Sequence, residues 1–159
     1  MTTRAVIIRY AAYAVMIALV ALAFLGLLEQ DGRARGETAA GAAEVDYPSV
    51  TRQGLKPSLV VTVENRDAVA REVSIDLGSS YVEEMQLSGV TPDPSESRGV
   101  GSGTLRYTFT PIGAGERLRA IFSFSIDQQH PGLRSRSPVR VAVGDQEVLR
   151  TDISTTVLP

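Results

Sequence analysis

The sequence contains no cysteine and no tryptophan, and it has one histidine and one lysine. Without cysteine the chain can form no disulfide, no thiolate metal site and no lipid-modified cysteine, and it has no cysteine nucleophile. The formal net charge of −2 argues against a nucleic-acid partner, which would require a concentrated basic surface. Any folded domain in this chain must therefore be held together by its own core.

Charged residues are absent from the longest apolar run, Ala11–Leu28. A helix of that length, rising about 1.5 Å per residue, would span roughly 27 Å, which is close to the ~30 Å hydrocarbon thickness of a bilayer. A helix also satisfies its own backbone hydrogen bonds in lipid. The run predicts one transmembrane helix over residues 11–28, with a start as early as residue 6.

The flanking charges predict the orientation of this helix. Arg4 and Arg9 precede it, whereas Glu29 and Asp31 follow it. By the positive-inside rule, residues 1–10 form a cytoplasmic tail and the remaining chain lies outside the cytoplasm. A cleaved signal peptide is the alternative, although the run is longer than a usual h-region. The composition, rich in alanine and arginine, indicates a bacterial source. The chain is therefore predicted to be a single-pass protein of a bacterial cytoplasmic membrane.

Small residues recur on one side of the predicted helix. They stand at alternating spacings of three and four, which aligns them along one helical face. Such a face lets a second transmembrane helix approach closely, although alanine-rich anchors without a partner are also common. The candidate helix-packing residues are Ala11, Ala14, Ala18 and Ala21.

The chain beyond the helix divides into a polar stretch and a strand-rich region. Residues 29–46 are small and polar without apolar periodicity, and they predict a flexible linker. From residue 47 short runs alternate between apolar and polar residues, most clearly in Arg71–Leu77 and Leu118–Ile126. Residues 47–159 are therefore predicted to be one extracytoplasmic domain, a seven- to eight-stranded antiparallel immunoglobulin-like β-sandwich. A small β-barrel is the alternative.

The succession of strands carries a family resemblance. The segments LVVTVEN, REVSIDL, GTLRYTF and LRAIFSFSI resemble bacterial extracytoplasmic immunoglobulin-like domains, and in particular the CARDB-like sandwich modules. The likeness covers roughly Ser58–Val157 and consists of strand lengths and turns. It implies a binding or spacing module, usually without catalysis.

The residues that could support catalysis or metal binding are few. His130 lies in a predicted loop, and no G-x-S-x-G elbow accompanies it. Asp93 and Glu96 lack the full ladder of acidic ligands found in calcium loops. We therefore predict no enzymatic activity, no cofactor and no metal site.

Two predicted loops are long for a compact sandwich, Ser88–Thr104 and Asp127–Pro138. Loops of this length without structure of their own are often binding loops or disordered segments. If successive strands alternate in direction, both loops lie at one end of the domain, where they could touch lipid headgroups or a partner protein. Their candidate contact residues are Arg98, His130, Arg134 and Arg136.

These observations predict a non-catalytic interaction or accessory subunit for another envelope or membrane protein. The alternative is an envelope protein that binds a glycan or a peptidoglycan fragment. Exposed aromatic residues on a concave face would favour that alternative. Four aromatic residues instead fall at predicted inward positions, namely Tyr107, Phe109, Phe122 and Phe124.

Overall fold

The computed structural model describes residues 12–17, 31–126 and 132–158. The chain divides into two compact units, Met1–Gln30 and Asp31–Pro159. In the first unit residues 12–17 are helical, and the predicted tail 1–10 and most of the apolar run lie outside the described residues. Within the part of the chain that is described, no helix is long and apolar enough to cross a membrane.

The described part of the second unit contains eleven strands and one short helix, Ser79–Glu84. The strands are β1 (Asp31–Glu37), β2 (Gly41–Pro48), β3 (Val50–Arg52), β4 (Ser58–Asn65), β5 (Arg71–Gly78), β6 (Leu87–Thr91), β7 (Glu96–Gly99), β8 (Thr104–Ile112), β9 (Arg117–Phe124), β10 (Arg134–Val143) and β11 (Gln146–Leu158).

These strands form two sheets. We call the sheet with the order β1-β2-β4-β9-β6 the five-stranded sheet, and the sheet with the order β3-β11-β10-β5-β8-β7 the six-stranded sheet. Neighbouring strands are antiparallel except for the parallel pair of β3 and β11. The predicted mainly β class and the two-sheet sandwich are confirmed, but eleven strands replace the predicted seven or eight.

The inner faces of both sheets form one apolar core. Val73, Ile75 and Leu77 of β5 are buried, as the alternation in the sequence predicts. The four aromatic side chains predicted to face inward are also buried, and Tyr107 meets Phe122 edge-to-face with ring centroids 5.1 Å apart. Period-two alternation therefore located most of the core correctly.

The prediction of a flexible linker over residues 29–46 is wrong, because most of this segment forms β1 and β2. The two strands are joined by a tight turn in which the Thr38 amide donates to the Gly41 carbonyl over 2.8 Å. The segment does alternate, but the inward positions of β1 hold only Gly32, Ala34 and Gly36. A search for large apolar residues therefore overlooks it, and the folded domain begins near residue 31 rather than 47.

Small inward residues are required in β1 because neighbouring groups lie close to it. A Cβ atom built on Gly36 would stand 2.5 Å from the Val148 carbonyl oxygen of β11. The aromatic ring of Tyr47 occupies the space over Gly32 in the same way. Glycine here allows the edge strand of one sheet to pack directly against a strand of the other.

The region between β5 and β8 is not a simple loop. It starts with the short helix Ser79–Glu84, which buries Tyr81 between the sheets. The predicted loop Ser88–Thr104 contains β6 and β7. Both edge strands are short and largely exposed, so their sequences lack a clear apolar face.

The Tyr81 hydroxyl connects the short helix to both sheets. Thr155 Oγ1 of β11 donates to the Pro48 carbonyl of β2 over 2.6 Å. The hydroxyl proton of Thr155 is thereby used, so Tyr81 donates to Thr155 Oγ1 over 2.9 Å. Burial raises the pKa of Tyr81 to about 12.

Replacing Gly36 by alanine should destabilise the domain by about 1–3 kcal/mol, because the new methyl group meets a backbone carbonyl that cannot easily move. The control is Gly99→Ala in β7, where a Cβ would have open space, with an expected change within about 0.5 kcal/mol. Denaturant unfolding of the variants measures both effects. Equally small changes would show that β1 does not pack against β11.

The pH dependence of stability should report the burial of Tyr81. Its pKa in the folded state is above the ordinary value of 10, so its contribution to stability is complete below pH 10 and is lost as the pH rises toward 12. The wild type should therefore lose stability more steeply across this range than Tyr81→Phe, as measured by chemical denaturation. Parallel losses in the two proteins would contradict the buried, neutral phenol.

Candidate partner-binding face

One row of charged residues crosses five adjacent strands on the outer face of the six-stranded sheet. The strand registers pair each member directly with the next. With strands about 4.8 Å apart, the row is roughly 19 Å long. In spatial order from β7 to β11 it consists of Arg98, Arg106, Asp76, Arg140 and Arg150.

The centre of the row is a fixed ion pair. Asp76 is only 6% exposed, and it accepts two hydrogen bonds from Arg106, at 2.7 Å from Nε and 2.8 Å from Nη2. This hydrogen bonding to the carboxylate, together with its charge, raises the pKa of Arg106. A bidentate pair of this kind holds the guanidinium in one orientation.

Two pairs of like charges flank this centre. Arg98 lies directly opposite Arg106, and Arg140 lies directly opposite Arg150. Like charges in directly opposite positions destabilise a sheet. Arg140 is offset by Glu147, whose Oε2 is 2.7 Å from its Nε, but Arg150 has no acidic partner among the described residues. Arg150 is therefore the one arginine of the row whose charge is not offset by a carboxylate among the described residues.

The sequence candidates Arg134 and Arg136 extend the basic surface along β10. Both belong to the strand rather than to the predicted loop Asp127–Pro138, and both are exposed on the outer face. Arg134 makes one long hydrogen bond, 3.4 Å to Ser154 Oγ, and neither arginine forms an ion pair within the described residues. Residues 134 and 136 are two positions apart, which separates them by roughly 7 Å along the strand.

We define the β10–β11 patch as Arg134, Arg136 and Arg150, the arginines on the outer faces of β10 and β11 that have no acidic partner among the described residues. Between them is an open depression of about 380 Å³, lined by Arg136, Ser137, Pro138, Asp152, Ile153 and Ser154. The depression is shallow and bounded by two strands. It fits side chains of a partner better than an enclosed small molecule.

The outer face of the five-stranded sheet has a different charge arrangement. There Arg33 contacts both Glu44 and Asp46, and Arg117 pairs with Glu64 over 2.7 Å. The hydrogen bond from Arg117 lowers the pKa of Glu64. Most arginines of this face are thus paired with carboxylates, although Arg119 of β9 has no acidic partner among the described residues. The β10–β11 patch differs because it brings three unpaired arginines together on two neighbouring strands.

The structure divides the four candidate loop contacts. Arg134 and Arg136 lie together on β10. Arg98 is instead on the edge strand β7, which is separated from β10 by β5 and β8, and it lies 3.7 Å from Glu96. His130 lies outside the described residues. Strand directions do place the hairpin tip 100–103 and the start of β10 at one end of the domain, as predicted from strand parity.

The other predicted site falls mostly outside the described part of the chain. Ala14 is exposed on the helical residues 12–17, whereas Ala11, Ala18 and Ala21 lie outside the described residues. No group of three or more potential metal ligands occurs among the residues that were described. The helix-packing stripe therefore stays a prediction.

Sequence reasoning missed Arg106, Asp76, Arg140 and Arg150 as members of one surface. Alternation alone shows that each points outward from its strand, and the run RSRSPVR shows three arginines on one side of β10. The row itself depends on which strands are neighbours and on their registers. Neither can be read from the period of two.

Comparisons with known proteins support the fold and go no further. No protein-family model and no curated protein sequence matches this chain. A cohesin module of a family 33 glycoside hydrolase from Clostridium perfringens is similar in structure, with a TM-score of 0.53 and 13% identity over 76% of this chain and 98% of that chain. The CARDB domain of a Pyrococcus furiosus protein, in complex with di-metal ions, matches at a TM-score of 0.41 and 12% identity over 80% and 89% of the two chains. The cohesin match supports the assignment of the fold, which is an immunoglobulin-like β-sandwich.

Proposed function

We propose that this chain is a non-catalytic accessory subunit of a bacterial membrane, which binds an acidic surface of another envelope protein through the β10–β11 patch. The observation that carries the proposal is the set of outer-face arginines without acidic partners. Three such arginines lie together on β10 and β11. On the outer face of the five-stranded sheet, Arg33, Arg35 and Arg117 are instead paired with carboxylates.

The chemistry of arginine fits recognition of carboxylates. A guanidinium presents donors in a planar fork that matches a carboxylate with two parallel hydrogen bonds. The sheet fixes the backbone positions of Arg134, Arg136 and Arg150. Binding therefore costs conformational entropy mainly in the arginine side chains themselves. A partner segment with several acidic residues would complete the charge balance.

The face is less suited to a glycan. Carbohydrate sites commonly use aromatic rings as flat platforms, and Tyr107, Phe109, Phe122 and Phe124 are all in the core. A protein partner remains the better interpretation of an open, polar and cationic surface. The glycan alternative is therefore our second candidate.

The apolar run supports the membrane part of the proposal. In the described helical residues 12–17, the large side chains Tyr13, Val15, Met16 and Ile17 are each more than half exposed. Several large apolar side chains exposed on one helix favour an apolar surrounding such as lipid or another helix. We therefore retain Ala11–Leu28 as the proposed anchor.

The substitution Arg150→Glu should separate a binding role from a structural one. Glutamate would stand opposite Arg140, so we expect stability to rise by about 0.2–1 kcal/mol while partner binding is lost. Binding is measured in native membranes with a photo-crosslinking residue at Ser154, inside the patch, which should give one discrete adduct in the wild type.

Two controls complete this experiment. A crosslinker at Thr62, on the outer face of the five-stranded sheet, should give no such adduct. Arg119→Glu, a charge reversal directly opposite Thr62, should leave the Ser154 adduct unchanged. Persistence of the adduct in the combined Arg134→Glu, Arg136→Glu and Arg150→Glu variant would contradict the proposed binding face.

A further inference from the structure

The two ends of the sandwich differ in what their turns expose. Asp31 at the start of β1, Arg134 at the start of β10 and Leu158 at the end of β11 lie at one end, which we call the entry end. The turn between β3 and β4 is part of it, since the Gln53 amide donates to the Leu158 carbonyl over 3.2 Å.

This turn presents an apolar residue to solvent. Leu55 is 41% exposed, and within the described residues of Asp31–Pro159 only Val69 is another exposed large hydrophobic residue, at 52%. Val69 is in the turn between β4 and β5, at the opposite end of the sandwich. Among the described residues, each end of the sandwich therefore has one large apolar side chain exposed to solvent.

The charges around these two residues are different. Val69 is flanked by Asp67 and Arg71, which neutralise each other in an ion pair of 2.8 Å. Leu55 is flanked by Arg52 and by Lys56, the single lysine of the chain, and neither has an acidic partner among the described residues. Basic side chains are attracted to anionic lipid headgroups, and an apolar side chain beside them can insert at the boundary between the headgroups and the acyl chains.

We infer that the turn Arg52–Lys56 is a contact to anionic lipid headgroups, with Leu55 inserted below the phosphates and the two cations bound to them. The inference rests on the proposed anchor. Only Glu29 and Gln30 separate Leu28 from Asp31, and three residue steps reach at most about 10 Å. The entry end is thus the end that a membrane-spanning run would hold against the bilayer.

The surrounding charges limit the strength of this contact. Arg134 and Arg136 add positive charge to the entry end, whereas Asp31 and the exposed Glu83 and Glu84 of the short helix oppose it. The net attraction is therefore small, and it acts on a domain that the anchor already confines near the surface. Each basic residue close to anionic lipid favours the contact by about fivefold.

The absence of cysteine allows a direct test in the full-length protein. Single cysteines are introduced as Leu55→Cys or, for the matched control, Val69→Cys, and each is labelled with an environment-sensitive fluorophore. The protein is reconstituted in liposomes of phosphatidylcholine alone or mixed with phosphatidylglycerol. We expect a blue shift at position 55 in the mixed liposomes only, reduced by salt, and none at position 69.

Charge-neutral variants test the role of the two cations. Adding Arg52→Gln and Lys56→Gln to the Leu55→Cys protein should lower the affinity for anionic lipid, as reported by the blue shift, by more than tenfold. Adding Arg119→Gln should leave this affinity unchanged. An aqueous signal at position 55 in both liposomes would overturn the inference. So would a shift that appears only when a second membrane protein is supplied, because the turn would then be a protein contact.

Flotation of the same liposomes separates this inference from the proposed function. A chain that fails to float with the liposomes contradicts the anchor, and both proposals then fail. A chain that floats but leaves position 55 in water contradicts the lipid contact alone. The Ser154 adduct is measured independently of either result.

Discussion

Two hydrogen bonds of Thr155 hold β2, β11 and the short helix together, and the arrangement of the neighbouring strands depends on this connection. At this point the chain leaves the five-stranded sheet after Pro48 and enters the six-stranded sheet at Val50, so the two sheets are covalently joined here. Thr155 donates a hydrogen bond to the Pro48 carbonyl and accepts one from the Tyr81 hydroxyl. The hydroxyl protons of both buried side chains are therefore paired. The short helix, β2 and β11 are thereby fixed relative to one another. The starts of β3 and β10, and with them the proposed lipid and partner contacts, are positioned by this arrangement.

A second polar residue has a similar role at the opposite end. Asn65 is fully buried at the end of β4, and its amide nitrogen donates to the carbonyls of Val69 and Ile112 over 2.8 and 2.9 Å. Its side-chain oxygen accepts from the Asp67 amide. The turn after β4 and the turn after β8 are therefore bound to one side chain. Polar groups hold both ends of a core that is otherwise apolar, and the outer faces are left free to carry charge.

The sequence predicts the fold where inward residues are large, and fails where they are small or few. The alternation of Val73, Ile75 and Leu77 located β5, and the alternation in Leu118–Ile126 located β9. The same alternation in β1 was missed because its inward residues are glycine and alanine. Of the candidate contacts, Arg134 and Arg136 are placed together on one face. Their association with Arg150 depends on strand register, which a single sequence does not contain.

The parallel pairing of β3 with β11 has a consequence for the order of folding. Val50 pairs with Thr156, so the six-stranded sheet acquires its last neighbours only after about a hundred residues have been synthesised between them. Contacts so distant in sequence form slowly, because loop closure costs entropy before the contact contributes stability. Until β11 is available, the earlier strands have an open edge and lack the Thr155 hydrogen bonds. A nascent chain stopped before β11 should therefore be a substrate for holding chaperones and proteases, whereas the completed chain is not.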